Sequence, residues 1–451
     1  MSSCSPSSNE NKNGDLQWWQ LSLIGVGCTI GTGYFLGSSI GIRITGPSIV
    51  LSFLLAALGT YSVFNVLAKM TAEDPQKGSF CYYAGKAYGK WAGFSCGWNY
   101  WCSNILIMGS QLTALSILSR FWFPNVALWI FASGYAVLSI VVVLTGTKGF
   151  DKVEDILAIL KFAAIIMFII LAAAAIFGFL NEAKKPEVSS VISELFTDGF
   201  KGFWASLIYA FYAYGGIEVI GIMDMQLKNK EDAPKAGKIM LVCLTSVYVL
   251  SLALAVILVS VDSFDDKESP FVTALSGYNL PFFPHVFNGA IIIAGFSTMT
   301  ASLFGVTNLL VTLAEDGDAP ALFSKKSKRF KQLPVPSLGL AALGLVASII
   351  TALLLPGKIY EYITTSAGIL LLYNWFFIII SSFKNLQNTI WNKILSIIGL
   401  ALILAAIGGT LLEKAIRPGF YVSLLFVLII CLVCLRMKKY WKNEKSQIRY
   451  Y

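Results

Sequence analysis

The residues able to do chemistry sit in two short interruptions of otherwise apolar stretches. The first is Gly25-Val-Gly-Cys-Thr-Ile-Gly-Thr-Gly33, four glycines in nine residues. A continuous helix there is costly, at about 1 kcal/mol per Gly relative to Ala. Unwinding over Thr29, Ile30, Gly31, Thr32 and Gly33 frees backbone N–H groups and leaves a half-helix N-terminus, which attracts a carboxylate. The Thr32 hydroxyl adds a donor. The second interruption is Tyr212-Ala-Tyr-Gly-Gly-Ile-Glu218. Carbonyls freed around Tyr214, Gly215 and Gly216 accept from an ammonium group, so the pair forms a clamp for a zwitterion. Tyr212 and Tyr214 supply an aromatic lid. The plainer alternative is that the glycines let helices approach closely and the tyrosines pack or anchor at an interface.

Two charges lie inside apolar stretches, Lys161 and Glu218. Each costs about 2.5–3.5 kcal/mol at the centre of a membrane helix. A proton-carrying role is the functional reading. Lys161 is also close enough to a predicted helix end to snorkel, and Glu218 is within two turns of Asp224. Gln111 is a possible pocket residue or a link between helices. Cys431 and Cys434 form a CxxC inside an apolar stretch, with no second pair, and read as two small apolar side chains one turn apart. With His285 the one histidine, no metal site is expected. Gly85 to Gly89 with Lys90 lacks the spacing and Ser/Thr of a phosphate loop. No catalytic residue, enzyme pattern or cofactor is expected.

The elements that position these residues follow from composition. Of 451 residues, 56% are hydrophobic and 13% charged, about half the charged share of soluble domains. That excludes a soluble enzyme, a disordered chain and a secreted disulfide scaffold. An all-α integral membrane protein is predicted, with 12 transmembrane helices near 16–42, 45–67, 80–118, 124–146, 156–180, 203–223, 238–261, 284–313, 336–356, 360–383, 391–412 and 419–436. The first stretch runs uncharged for 27 residues, about 40 Å as a helix against a hydrocarbon core of about 30 Å. Spans one and six are five apart and so cross in opposite directions, as an inverted repeat of five plus five requires.

The +9 net charge is distributed as an orientation device rather than a nucleic-acid face. With both termini in the cytoplasm, 24 of the 34 basic residues fall on the inner side and nine on the outer. Residues 1–15 read as a cytoplasmic tail without a cleavable signal peptide. Residues 16–383 form a ten-helix transport core, 384–436 two additional helices, and 437–451 a basic cytoplasmic tail.

Gly25-Val-Gly-Cys-Thr-Ile-Gly-Thr-Gly-Tyr-Phe35 resembles the first-helix signature of the amino acid–polyamine–organocation permeases, and Phe211-Tyr-Ala-Tyr-Gly-Gly-Ile-Glu-Val-Ile-Gly221 their sixth-helix motif. Gly93-Phe-Ser-Cys-Gly-Trp-Asn-Tyr-Trp101 resembles the third-helix pattern. Leu313-Ala-Glu-Asp-Gly-Asp-Ala-Pro320 resembles the loop after helix eight, with Glu315 where Arg is usual. Lys161 falls where many members carry a fifth-helix lysine.

The resemblance implies the leucine-transporter-type 5+5 fold with two appended helices, and alternating access around a midplane amino-acid site. Gly31, Thr32 and Gly33 would hold the carboxylate; carbonyls of Thr29, Tyr212 and Gly215 would hold the amine. Lys161 would replace the sodium of sodium-coupled relatives and suggest proton coupling, with Glu218 linking pH to the sixth helix. Two departures stand out. Asp224-Met-Gln-Leu-Lys-Asn-Lys230 lacks the usual Glu and Asn-Pro, and Gln111 stands where a Glu is frequent. The latter favours neutral cargo.

The expectation is a proton-coupled importer of a small or medium neutral L-amino acid. The plasma membrane is its expected site, with amino acid, protons and lipid as its partners. No nucleic acid or obligate protein partner is expected. The alternatives are a proton-independent exchanger and, less favoured for want of a long soluble extension, a non-transporting amino-acid receptor.

Overall fold

The computed structural model of the chain describes residues 17–76, 78–144, 147–180, 195–197, 199–218, 227–265, 268–327, 333–354, 358–387 and 389–448. It is an all-helical protein. Among the described residues, eight helical stretches are long and apolar enough to cross a membrane, and Leu128–Leu144 and Val335–Thr351 are shorter apolar helices.

The first predicted span, 16–42, is three pieces: α1 (Trp18–Thr29), α2 (Thr32–Phe35) and α3 (Gly37–Thr45). Helix α4 (Ile49–Glu73) follows. The expected single span 80–118 is corrected to two helices, α5 (Ser79–Tyr88) and α6 (Lys90–Ser119). Gly89 separates them at φ +93°, a backbone angle at which a side chain is strained. A continuous helix over that stretch would be about 58 Å long, nearly twice a hydrocarbon core of about 30 Å.

Beyond these lie α7 (Leu128–Leu144), α8 (Thr147–Ile176), α9 (Gly199–Ala213) and α10 (Ala233–Leu258). Then come α11 (Pro270–Leu275), α12 (Phe283–Glu315), α13 (Val335–Leu354) and α14 (Ile359–Asn385). Last are α15 (Ile390–Gly409) and α16 (Arg417–Ile448). Helix α16 continues past residue 436, where the apolar stretch was expected to end. Trp441 packs edge-on against Phe94 with ring centroids 5.5 Å apart, so the helix beyond residue 436 still lies against α6.

Helices α6 and α14 form the centre: 83% and 78% of their most apolar stretches are buried, against 17% for α16. Small and polar residues make this possible, because without a hydrophobic drive helices in lipid associate through close packing and hydrogen bonds. Asn99 Nδ2 donates to the Leu370 carbonyl at 2.7 Å and Ser103 Oγ to the Ala367 carbonyl at 3.1 Å, tying α6 to α14. A Cβ on Gly97 would lie 2.6 Å from Leu313 Cδ2, so α12 also approaches α6 closely. Likewise α10 meets α4 where Phe64 lies over Gly237. These contacts hold the two interrupted segments in the middle of the bundle.

Candidate functional site

Helix α1 makes its last bond from the Ile30 amide to the Val26 carbonyl at 3.2 Å. Ile30 and Gly31 are then extended, with Gly31 at φ −145° and ψ −170°. The chain resumes helical bonding only at Tyr34 and Phe35, whose amides donate to the Gly31 carbonyl at 3.1 and 3.3 Å. The N–H groups of Gly31, Thr32 and Gly33 therefore precede the first bond of the new helix and are available to a ligand. The Thr29 hydroxyl is turned back onto the Gly25 carbonyl at 2.9 Å. Ile30 is fully buried.

Lys161 is 1% exposed, and its Nζ donates to the Gly27 carbonyl at 3.0 Å. It extends inward, not along a snorkelling path. The side-chain amine stands at the C-terminal end of α1, where unfinished carbonyls and the helix dipole favour the protonated form.

The second interruption begins where α9 ends at Ala213. The Tyr214 and Gly215 amides donate to the Phe211 and Tyr212 carbonyls, each at 3.0 Å. Gly216 has φ +106°, which turns the chain sharply. The Tyr212 carbonyl, expected to serve an amine, thus keeps one lone pair beyond its turn bond. Glu218 is 2% exposed. Its Oε2 accepts from the Gly216 amide and from Trp375 Nε1, both at 3.2 Å, and its Oε1 from the Tyr100 hydroxyl at 3.1 Å. The carboxylate therefore ties the turn of the second interruption to α6 and α14.

The two interruptions meet at Gly33 and Tyr212: a Cβ on Gly33 would lie 2.6 Å from Tyr212 Cε1. Tyr214 points elsewhere. Its hydroxyl donates to Thr245 Oγ1 at 3.2 Å, and its ring packs 5.4 Å from Tyr248 on α10. Gln111 Nε2 donates to Thr298 Oγ1 at 2.9 Å, and Thr298 Oγ1 would stand 3.2 Å from a Cβ on Gly31. Gln111 thereby reaches the first interruption through Thr298. A Cβ on Gly295 would meet the Thr32 methyl at 2.4 Å.

Several residues at the site escaped sequence reasoning: Thr298, Tyr360, Trp375 and the α10 series Thr245, Tyr248 and Ser251. The Tyr360 hydroxyl donates to the Thr32 carbonyl at 3.3 Å. The Tyr248 hydroxyl donates to the Ala213 carbonyl at 3.2 Å, while its ring stacks on Tyr34 at 3.9 Å. Ser251 bonds the Tyr34 hydroxyl. Hydroxyls at 245, 248 and 251 inside an apolar run, three residues apart, were the available signal. Among the described residues, no three His, Cys, Asp or Glu side chains gather as a metal site would need.

Comparison with known proteins decides the family. Residues 20–449 match the sequence model of the family described as Amino acid permease. The chain belongs to the amino acid permease family. This permease is 52% identical to the uncharacterized transporter YcgH of Bacillus subtilis (strain 168), covering 96% of this chain and 97% of that one. It is 30% identical to the aromatic amino acid transport protein AroP of Corynebacterium glutamicum, over 94% and 96% of the two chains. It is 28% identical to the gamma-aminobutyric acid permease of Bacillus subtilis (strain 168), over 83% and 81%. In fold the permease resembles the manganese transporter of Eremococcus coleocola, solved with an aromatic bis-isothiourea compound. That match has a TM-score of 0.58 at 13% identity, covering 96% of this chain and 97% of that one. It is a multi-pass membrane protein of a transporter family.

Proposed function

We propose that this permease imports a small or medium neutral L-amino acid together with protons, by alternating access. In this reading twelve crossings are made. The first ten form a 5+5 inverted repeat over residues 16–383, α15 and α16 are appended, and both termini lie in the cytoplasm of a plasma-membrane protein. The observation that carries the reading is the meeting of two helix interruptions at Gly33 and Tyr212, with a buried ammonium behind the first. The amides of Gly31, Thr32 and Gly33 hold the carboxylate. Carbonyls at Thr29, Tyr212 and Gly215 take the amine, with Tyr212 closing over the substrate. Lys161 and Glu218 carry or sense the coupled proton. Crowding of Gly31 by Thr298 and of Gly33 by Tyr212 supports a compact substrate.

The test is uptake into proteoliposomes with an imposed pH gradient, across the twenty common amino acids and γ-aminobutyrate. The aromatic members and γ-aminobutyrate stand for the cargo named in the similar transporters. Saturable, gradient-driven uptake of a neutral amino acid is expected, with accumulation but not binding lost in Lys161→Ala. Absence of saturable uptake for every compound refutes import. Uptake that needs amino acid preloaded inside and ignores the gradient would instead make the protein an exchanger.

A further inference from the structure

Two buried polar atoms near the first interruption have no hydrogen-bond partner: Thr32 Oγ1 and, across Thr298 from Gly31, Gln111 Oε1. Thr32 is fully buried and Gln111 is 5% exposed. The surroundings of Gln111 fix what its free oxygen lacks. The Thr298 hydroxyl donates along its own helix to the carbonyls of Gly295 at 3.0 Å or Ala294 at 3.2 Å. Its oxygen therefore accepts from Gln111 Nε2, which leaves Oε1 as a bare acceptor. An acceptor cannot serve a carboxylate; it requires a donor. The α-ammonium is drawn to the second interruption, which meets the first at Gly33. Gln111 bonds Thr298 of α12, which lies against Gly31 at the other end of the same three residues. A donor on the substrate's side chain completes this acceptor.

We propose that Gln111, held by Thr298, forms a side-chain subsite for an uncharged hydrogen-bond donor, so that the permease selects amino acids bearing a hydroxyl or carboxamide. The inference rests on the amino-acid reading of Gly31–Gly33. An apolar side chain of the same shape leaves Oε1 buried and unpaired, whereas a hydroxyl or amide N–H satisfies it. Sites built to bond a polar group discriminate strongly against isosteres that lack it, because their own buried groups are then stranded.

Isosteric pairs test this in proteoliposomes: threonine against valine, and asparagine against leucine, each competing for uptake of a labelled substrate. One stranded acceptor corresponds to about 5- to 150-fold weaker competition. Threonine or asparagine is expected to outcompete its isostere within that range. Gln111→Met keeps the length and removes the acceptor; it should bring threonine and valine to near equality as competitors. Equal competition in the unaltered protein overturns the subsite while leaving amino-acid transport standing. So does a preference that survives Gln111→Met. If no amino acid is taken up saturably, the transport reading fails and the subsite with it.

Discussion

Glu218 offers the sharpest test of how the second interruption is held. Three donors converge on its carboxylate: the Gly216 amide and Trp375 Nε1 on one oxygen, the Tyr100 hydroxyl on the other. Glu218→Gln can keep all three contacts. Its carbonyl oxygen faces Gly216 and Trp375, and its NH2 faces Tyr100, whose hydroxyl oxygen accepts as readily as it donates. Glu218→Leu can keep none. Each stranded buried donor costs about 1–3 kcal/mol, so the buried Tyr100 and Trp375 groups together cost about 2–6 kcal/mol and the half-buried Gly216 amide adds less, a large part of the stability of many domains, about 5–15 kcal/mol. The assay is thermal unfolding in detergent, followed by the fraction remaining monodisperse after heating. The Gln variant should melt with the parent, and the Leu variant far below it or fail to accumulate. Trp375→Phe and Tyr100→Phe, which each remove one donor without stranding the carboxylate, should fall between. A Leu variant as stable as the Gln variant would refute the argument.

Other expectations follow from the same contacts. Gly33→Ala places a Cβ 2.6 Å from Tyr212 Cε1; the variant should fold and lose about tenfold or more in substrate affinity by equilibrium binding. Gly237→Ala puts a Cβ 1.7 Å from Phe64 Cζ, and overpacking of this kind costs about 1–3 kcal/mol. Its melting temperature should drop and be partly restored by Phe64→Leu. Asp74, bonded by Lys86 at 2.6 Å and by Gln76, has its carboxyl held below the usual carboxylate range. The unfolded chain then binds the proton more readily. The tether is present above the ordinary carboxylate value of about 3.9 and lost as pH falls through the lower folded value. Amide exchange in α5 should quicken across that window and, because the pair is exposed, in high salt as well.

Both interruptions were legible because glycine clusters announce a cost that no local packing offsets. Gly89 was not. It is one of several glycines spaced four apart, at 85, 89 and 93, between stretches that both look helical, and only its positive φ divides α5 from α6. Side-chain direction was legible only in part. Tyr212 and Tyr214 straddle a turn, and the turn, rather than helical spacing, sends one ring to Gly33 and the other to α10. The inward reach of Lys161 depends on how α8 is rotated against α1, a tertiary quantity that sequence periodicity does not carry. Trp375 was unreadable for the same reason: its partner lies 157 positions away. Gln111 was found as a polar residue in an apolar span, but Thr298, which orients its amide, looked like any threonine in a membrane helix.

The hydroxyls of α10 give the bundle an unequal grip. Thr245, Tyr248 and Ser251 hold Tyr214, the Ala213 carbonyl and Tyr34, so one helix fastens both interruptions by polar bonds. Toward α12 the first interruption rests on a methyl in a glycine notch, Thr32 over Gly295. Polar bonds break one at a time and only at a cost, whereas a methyl can slide across a glycine with little resistance. The first interruption is thus clasped by polar bonds toward α10 and held by apolar contact alone at the seam between Thr32 and Gly295.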